Sequence, residues 1–203
     1  MKKIKIFVAL AISAILFAFT LGEEKDIAIG TKAPKVDMKM TSINDKPVSL
    51  MDVKQDNGLL VIFSCNTCPF VIGWEDRYND LAKWCADNKV GMAVINSNEA
   101  KRDGVDSKDE MKVHATAKAY MFPYLVDTNS ELAKAFGATV TPQAYLFDSD
   151  AKLAYKGLID DNMRNRAEAT PHLANAMQAM VKGDKISVAK TNAQGCSIKK
   201  VKL

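Results

Sequence analysis

Two cysteines, Cys65 and Cys68, form a C-x-x-C motif whose position in the chain suits redox chemistry. One residue separates the motif from the apolar run 59–63, and Pro69 follows it directly. The run predicts a buried strand, and the residues after the motif predict a helix. A helix N-terminus stabilises a thiolate, and a second thiol about one turn away can close a disulfide with the first. We therefore predict a redox-active pair.

Pro69 constrains where that helix begins. If Cys65 were the N-cap, Pro69 would stand at N4 and remove a hydrogen bond to the Cys65 carbonyl. With Asn66 as the N-cap, Pro69 stands at N3 and no bond is lost. We expect the second register, which leaves Cys65 just outside the helix and more exposed.

A C-x-x-C motif can also form a structural disulfide or half of a zinc site. A disulfide between residues so close in sequence closes almost no loop and would contribute little stability. Zinc needs two further ligands at matching spacing. The other cysteines and histidines do not offer that spacing: Cys85, His114, His172 and Cys196. We therefore expect no metal at the motif.

Two further cysteines lie far from the motif in sequence. Cys85 falls on the apolar stripe of the predicted helix with Trp74, Tyr78 and Leu81, which predicts a buried free thiol. Cys196 lies in a polar tail and leaves three alternatives open. It could be a surface thiol, a partner of Cys85, or a resolving thiol that folds back onto Cys65.

The remaining titratable candidates carry no catalytic pattern. His114 and His172 have no sequence neighbours that suggest catalysis, and we expect both at the surface. Asp160 and Asp161 follow the last predicted strand, and we interpret them as part of a solvated loop.

Residues 1–22 have the pattern of a secretory signal peptide. Lys2, Lys3 and Lys5 precede the apolar stretch 6–21, and Gly22 is a plausible cleavage point. An uncleaved membrane anchor is the alternative, although sixteen residues are short for a span that needs about 20. We therefore expect the protein to be periplasmic or secreted.

The charge of the chain after this segment argues against a nucleic-acid partner. Three of the 28 basic residues and none of the 24 acidic residues lie in 1–22, which leaves 25 basic against 24 acidic residues. A basic footprint of the kind that binds nucleic acid is therefore missing from the remaining sequence. Its length of about 180 residues suits one domain.

The order of predicted elements indicates an α/β fold. Apolar runs, capping patterns and turns give the order β-α-β-α-β-α-β-β-α, which implies a mixed sheet covered by helices on both faces. A polar insertion, 96–106, follows the second core strand. Ser107, Thr128 and Thr170 are the predicted N-caps of three later helices. Asp148-Ser149-Asp150 is the predicted turn of a hairpin.

Several of these features together resemble the thioredoxin superfamily. They are the strand followed by Cys65-Asn66-Thr67-Cys68-Pro69, the long helix, and Val140-Thr141-Pro142 before a later strand. The extra N-terminal hairpin, the insertion and the tail Gly195-Cys196-Ser197-Ile198-Lys199 resemble the secreted redoxin branch. That branch includes thioredoxin-like disulfide reductases and peroxiredoxin-like proteins related to alkyl hydroperoxide reductase.

The resemblance implies roles for four residues. Cys65 would be the attacking thiolate, and Cys68 the shielded resolving thiol. Pro142 would be a cis proline facing the pair, and the Thr141 backbone would pair with an extended substrate strand. It implies a thiol–disulfide oxidoreductase that needs no cofactor, acts on protein disulfides or dithiols, and is reset by an upstream redox partner.

The resemblance also implies a domain organisation and two competing functions. A thioredoxin-like redoxin domain would span 23–190, and the tail with Cys196 would span 191–203. A peroxiredoxin-type peroxidase is the first alternative, but the Pro and Thr or Ser that usually precede its reactive cysteine are missing before both Cys65 and Cys68. A copper carrier is the second, and its cysteine spacing of three residues is not matched here.

Overall fold

The computed structural model describes residues 26–201. The predicted signal segment, 1–22, lies outside the described residues. The strands are β1 Met40–Ser42, β2 Pro47–Val48, β3 Gly58–Ser64, β4 Val90–Asn96, β5 Tyr124–Val126, β6 Val140–Thr141, β7 Gln143–Phe147, β8 Leu153–Gly157 and β9 Cys196–Ser197. The α-helices are α1 Leu50–Val53, α2 Pro69–Trp74, α3 Tyr78–Asp87, α4 Lys108–Ala117, α5 Glu131–Phe136 and α6 His172–Lys182.

Within the described part of the chain, seven strands form a mixed sheet in the order β2-β1-β5-β4-β3-β7-β8. The central strands β3, β4 and β5 run parallel, and β1 and β7 join them antiparallel. The predicted N-terminal hairpin is present as β1 and β2, and the predicted hairpin near Asp148 joins β7 to β8. The mixed-sheet prediction is confirmed.

Strand β3 is buried along its whole length because helices cover both faces of the sheet. Alternate residues of a strand point to opposite faces, so Leu60 and Ile62 pack on one side and Val61 and Phe63 on the other. Helices α2, α3, α4 and α6 cover the first face, while α1 and α5 cover the second. Each fully buried side chain of this kind contributes roughly 1.5–3 kcal/mol.

The helix after the C-x-x-C motif is interrupted. Helix α2 ends at Trp74, and a 3₁₀ turn, Glu75–Arg77, connects it to α3. The predicted stripe of Trp74, Tyr78, Leu81 and Cys85 is nevertheless buried, so that part of the prediction is confirmed.

Of the three predicted helix caps, one is confirmed. The Ser107 hydroxyl accepts from the Glu110 N–H at the start of α4. Thr128 is not the cap of α5, because the buried Asp127 carboxylate accepts from the first free N–H groups of that helix. Thr170 is not the cap of α6 either, because Pro171 has ψ 68° and the helix starts one residue later.

Of the two acidic residues after β8, Asp160 is buried and Asp161 is exposed, so the prediction that both belong to a solvated loop is wrong. Asp160 is buried, and it accepts hydrogen bonds from Trp74 Nε1 at 2.6 Å and Arg77 Nε at 3.0 Å. These partners lie more than 80 residues away in sequence, which is why the local pattern did not reveal them.

The surface prediction for the histidines is also wrong. His114 is half-buried, and its Nε2 lies 2.7 Å from Oε2 of the buried Glu75. His172 is half-buried as well, with its Nε2 3.7 Å from Asp161. No helix among residues 26–201 is long and apolar enough to cross a bilayer.

Candidate active site at the start of the second helix

Cys65 directly follows the C-terminal end of strand β3, and helix α2 begins four residues later, at Pro69. Cys68 is the N-cap of α2, with extended backbone (φ −69°, ψ 125°), and Pro69 occupies the first helical position. Proline at that position loses no hydrogen bond, and it favours extended backbone in the residue before it. The predicted Asn66 cap is therefore wrong, and the helix N-terminus lies at Cys68 rather than at Cys65.

Asn66 serves a different purpose from capping. Its side-chain amide donates to the Val105 carbonyl at 2.8 Å, and its Oδ1 accepts from the Tyr124 hydroxyl at 2.9 Å. Because its polar atoms are already engaged, the side chain ties the C-x-x-C loop to the insertion and to β5.

Both cysteines of the motif are buried free thiols. Cys65 is 2% exposed and Cys68 is 4% exposed, so the predicted exposure of Cys65 is wrong. Val71 completes a small apolar cluster with the two thiols, and Phe70 and Cys196 pack against it. The two thiols therefore lie in an environment that is shielded from solvent.

The two thiols share a hydrogen bond that separates their acidities. A hydrogen bond with Cys68, together with burial, raises the pKa of the Cys65 thiol. The same hydrogen bond holds the pKa of Cys68 well below its usual range, against the opposing effect of burial. The pair therefore gives up its first proton readily and its second with difficulty, with the first loss favoured at Cys68.

Thr141 lies against both thiols. Its Oγ1 is 3.3 Å from Cys65 Sγ, and its carbonyl oxygen lies 3.3 Å from Cys68 Sγ. The Thr141-Pro142 peptide bond is cis, as predicted. The structure therefore brings together all four residues that the sequence singled out.

The edge of β6 beside Thr141 is occupied by the chain's own tail. Strand β9 pairs antiparallel with β6 and places Cys196 opposite Thr141. Cys196 is half-buried and packs against the cluster of Cys65, Cys68 and Val71, and its interaction with Cys68 contributes to the lowered pKa of Cys68. The side chain of Cys85, a residue of α3, is buried in the core as predicted, and it does not lie beside Cys196. Of the three alternatives for Cys196, the structure excludes pairing with Cys85 and places the thiol at the motif, next to Cys68.

Asp106 is a site residue that sequence reasoning missed. It is fully buried at the end of the insertion, and its carboxylate accepts from the Asn66 N–H at 3.0 Å and from the side-chain amides of Asn96 and Asn98. Its charge adds to the Cys68 hydrogen bond and burial in raising the pKa of Cys65. The repeated asparagines directly after a buried strand were the available sequence signal.

A cavity of about 220 Å³ opens at the site between the motif, the insertion and the tail. It is lined by Cys65, Thr67, Cys68, Pro69, Asn98, Lys101, Val105, Asp106, Cys196, Ser197 and Lys199. Two of these side chains are lysines, which favours a substrate segment without excess positive charge. Within residues 26–201, no group of three or more His, Cys, Asp or Glu side chains is arranged to hold a metal ion.

Comparisons with known proteins agree with this geometry. Residues 29–156 match the model of the AhpC/TSA family. A solved structure of an uncharacterized conserved protein from Geobacillus kaustophilus is 35% identical, with a TM-score of 0.80 over 87% of this chain and 94% of that one. A hypothetical protein from Sinorhizobium meliloti 1021 is 30% identical, with a TM-score of 0.79 over 87% and 97%.

The same fold extends to distant structures. A secreted disulfide oxidoreductase of Mycobacterium tuberculosis is 14% identical, with a TM-score of 0.55 over 71% of this chain and 97% of that one, which shows the fold alone. No curated protein matches the sequence.

Proposed function

The chain belongs to the AhpC/TSA family, within the redoxins of the thioredoxin superfamily, and from this premise we propose that it is an extracytoplasmic thiol–disulfide oxidoreductase. Its reactive groups are Cys65 and Cys68. The observation that carries the proposal is the pair of buried free thiols, which share one apolar cluster and both contact Thr141. Such a pair can alternate between dithiol and disulfide without a cofactor.

The first step forms a mixed disulfide. Cys65 Sγ attacks one sulfur of a substrate disulfide, and the proton of Cys65 moves to the Cys68 thiolate that accepts its hydrogen bond. The Cys65–substrate bond forms, the substrate S–S bond breaks, and the other substrate sulfur leaves as a thiolate. This assignment gives Cys68 the role of proton acceptor for Cys65.

The second step releases the substrate. Cys68 Sγ attacks Cys65 Sγ, the mixed disulfide breaks, and the departing substrate sulfur takes up the proton that Cys68 loses. The substrate has then gained two electrons, and the Cys65–Cys68 disulfide remains. A dithiol partner resets the site by the same two steps in reverse.

The substrate is proposed to be a protein segment in extended conformation. The backbone of Thr141, held next to both thiols, lies on a sheet edge with which such a segment would pair once strand β9 leaves that edge, and Pro142 removes a competing donor there. The proposed location outside the cytoplasm depends on the signal-like pattern of 1–22.

A redox titration of the purified protein tests this proposal. Thiols are trapped by alkylation and mapped by mass spectrometry, with the buried Cys85 as an internal control that should stay unchanged. We expect a Cys65–Cys68 couple with a potential between about −270 and −120 mV. A pair that stays in one state across this range would contradict the dithiol mechanism.

Single-cysteine variants test the two roles. With a disulfide-bonded protein substrate, Cys68→Ser should accumulate the mixed disulfide on Cys65, because no thiol remains to resolve it at that position. Cys65→Ser should accumulate none on Cys68 at a comparable rate. The reverse pattern would exchange the two roles and leave the dithiol reaction in place.

A thiol peroxidase is the second candidate, and the family match favours it. In that reaction a cysteine thiolate would attack a peroxide oxygen, and the resulting sulfenic acid would condense with a neighbouring thiol. Peroxide consumption that is fast compared with disulfide exchange, and lost in Cys65→Ser, would support the peroxidase over the oxidoreductase.

A further inference from the structure

Residues 195–199 lie over the candidate active site and form a cover, the name used below for this segment. Cys196 pairs with Thr141 and Ser197 with Val140, and the Ile198 N–H donates to the Thr139 carbonyl at 2.9 Å. This segment lies along the edge at which an extended substrate would pair. The chain therefore presents one of its own cysteines to the site in the manner of a bound substrate.

The cover is anchored on both sides of Cys196. Gly195 lies so close to Thr141 that an added Cβ would be 2.2 Å from the Thr141 carbonyl oxygen. On the other side, the Lys199 N–H donates to Asn98 Oδ1 at 2.8 Å, and Ile198 is buried in the core. These contacts hold the Cys196 thiol at a defined position.

That position connects the shielded thiols to the surface. Cys65 and Cys68 are almost completely buried, whereas Cys196 is only half-buried and packs against the cluster that they form. A protein-sized reductant cannot bring its own thiol against Cys68 while the tail is docked, but it can approach Cys196. Accessibility is one of the factors that set the rate of thiol–disulfide exchange.

We propose that Cys196 is a third exchange thiol, which carries the disulfide from the buried pair to the surface. This inference rests on the proposed function. Cys196 Sγ attacks Cys68 Sγ of the Cys65–Cys68 disulfide, the Cys68–Cys196 bond forms, and Cys65 leaves as a thiolate, which takes up the proton lost by Cys196. The exchange needs no external oxidant, because one disulfide replaces another.

The relay defines the class of partner that resets the enzyme. A dithiol protein attacks the Cys196 sulfur at the surface, forms a mixed disulfide there, and resolves it with its own second thiol. The substrate disulfide and the resetting dithiol therefore engage different sulfurs of the same site, Cys65 and Cys196.

Disulfide mapping of the oxidised wild-type protein is the first test and needs no variant. After equilibration with an excess of oxidised glutathione, acid quenching and alkylation, we expect two bonds, Cys65–Cys68 and Cys68–Cys196. If Cys65–Cys68 forms and Cys68–Cys196 does not, the relay is overturned and the proposed oxidoreductase stands. If neither forms, the proposed function fails as well.

Reduction kinetics are the second test. Thioredoxin with its reductase serves as the protein reductant, and a small phosphine serves as the reagent that needs no docking. Cys196→Ser should slow reduction by thioredoxin at least about tenfold and leave the phosphine rate nearly unchanged, since only access is lost. An unchanged thioredoxin rate would overturn the relay, even if Cys68–Cys196 had been found.

A matched control keeps one thiol in the tail. Successive strand residues point to opposite faces, so combining Cys196→Ser with Ser197→Cys moves the thiol away from Cys68. We expect this double variant to be reduced as slowly as Cys196→Ser. Recovery of the wild-type rate would show that any tail thiol suffices and would contradict the fitted geometry.

Discussion

The Asp106 carboxylate accepts a hydrogen bond of 3.0 Å from the backbone N–H of Asn66, inside the C-x-x-C motif. Asp106 belongs to the insertion after β4, so this bond ties the insertion to the redox loop. The side chains of Asn96 and Asn98 complete the environment of the carboxylate. The insertion thereby places a buried negative charge beside the reactive thiols.

Replacing Asp106 with asparagine should increase the acidity of Cys65. The pKa of Cys65 is raised by its hydrogen bond with Cys68, by burial and by the charge of Asp106. Asp106→Asn removes the third cause and keeps an oxygen for the Asn66 N–H, so the pKa of Cys65 should fall. Thiolate absorbance at 240 nm in a Cys68→Ser background measures it, with Asp103→Asn in the same insertion as a control. An unchanged titration would contradict the contribution of Asp106.

The pH dependence of alkylation should reveal the lowered pKa of Cys68. An ordinary thiol with a pKa near 8.5 reacts about tenfold faster per pH unit below that value, because only the thiolate reacts. Hydrogen bonding from Cys65 lowers the pKa of Cys68, so its thiolate is already formed at neutral pH. Its iodoacetamide rate, read by mass spectrometry, should change less than about threefold between pH 6 and pH 8.

Cys65→Ala removes the hydrogen-bond donor and should restore the steep rise of the Cys68 rate with pH. Cys85 provides the internal control, since burial raises its pKa to about 12 and it should stay unmodified. A steep profile in the wild-type protein would contradict the proposed thiolate on Cys68.

Detaching the tail should expose the buried thiols. In Gly195→Ala the new Cβ would collide with the Thr141 carbonyl oxygen, so the β6–β9 pairing cannot form as it stands. Alkylation of Cys68 by a bulky maleimide should become at least about tenfold faster, because access controls this reaction. Gly104→Ala is the matched control, since its added Cβ would meet nothing closer than 3.9 Å. Equal rates in the two variants would argue against the tail as a cover.

The buried ion pair between Arg77 and Asp160 should contribute strongly to stability. Asp160→Asn removes the buried carboxylate partner and leaves the guanidinium with only the exposed Asp76 carboxylate, and we expect a loss of about 3 kcal/mol in the free energy of unfolding. The exposed Arg166–Asp80 pair serves for comparison, and Asp80→Asn should cost less than about 1 kcal/mol. Urea denaturation followed by circular dichroism measures both, and similar losses would contradict the role assigned to burial.

Local patterns in the sequence predicted the central part of the fold. The unbroken apolar run of β3, the stripe of Trp74, Tyr78 and Leu81, and the Ser107 cap each depend on residues within a few positions of one another. The same holds for the C-x-x-C motif between a strand and a helix. Periodicity and capping are local properties, and a single sequence reports them directly.

Helix-cap predictions were wrong where a local capping rule could fit more than one neighbouring residue. The sequence favoured Asn66 over Cys65 as the cap of α2, but the cap is Cys68, and the Asn66 side chain is bound instead to Val105 and Tyr124. Likewise, Asp127 rather than Thr128 satisfies the start of α5. In each case a contact in three dimensions engaged the side chain that the local pattern had selected, or supplied a better acceptor.

The sequence by itself identified the two thiols of the proposed reactive pair and the strand that precedes them. Only the tertiary structure decided what surrounds the pair: Asp106 at its base, Thr141 at its side, and Cys196 over Cys68. These partners join the motif across about 40 to 130 residues of chain. Hydrophobic periodicity reports only which face of an element is buried, so the placement of polar and thiol groups from distant segments follows from the packing of the whole chain.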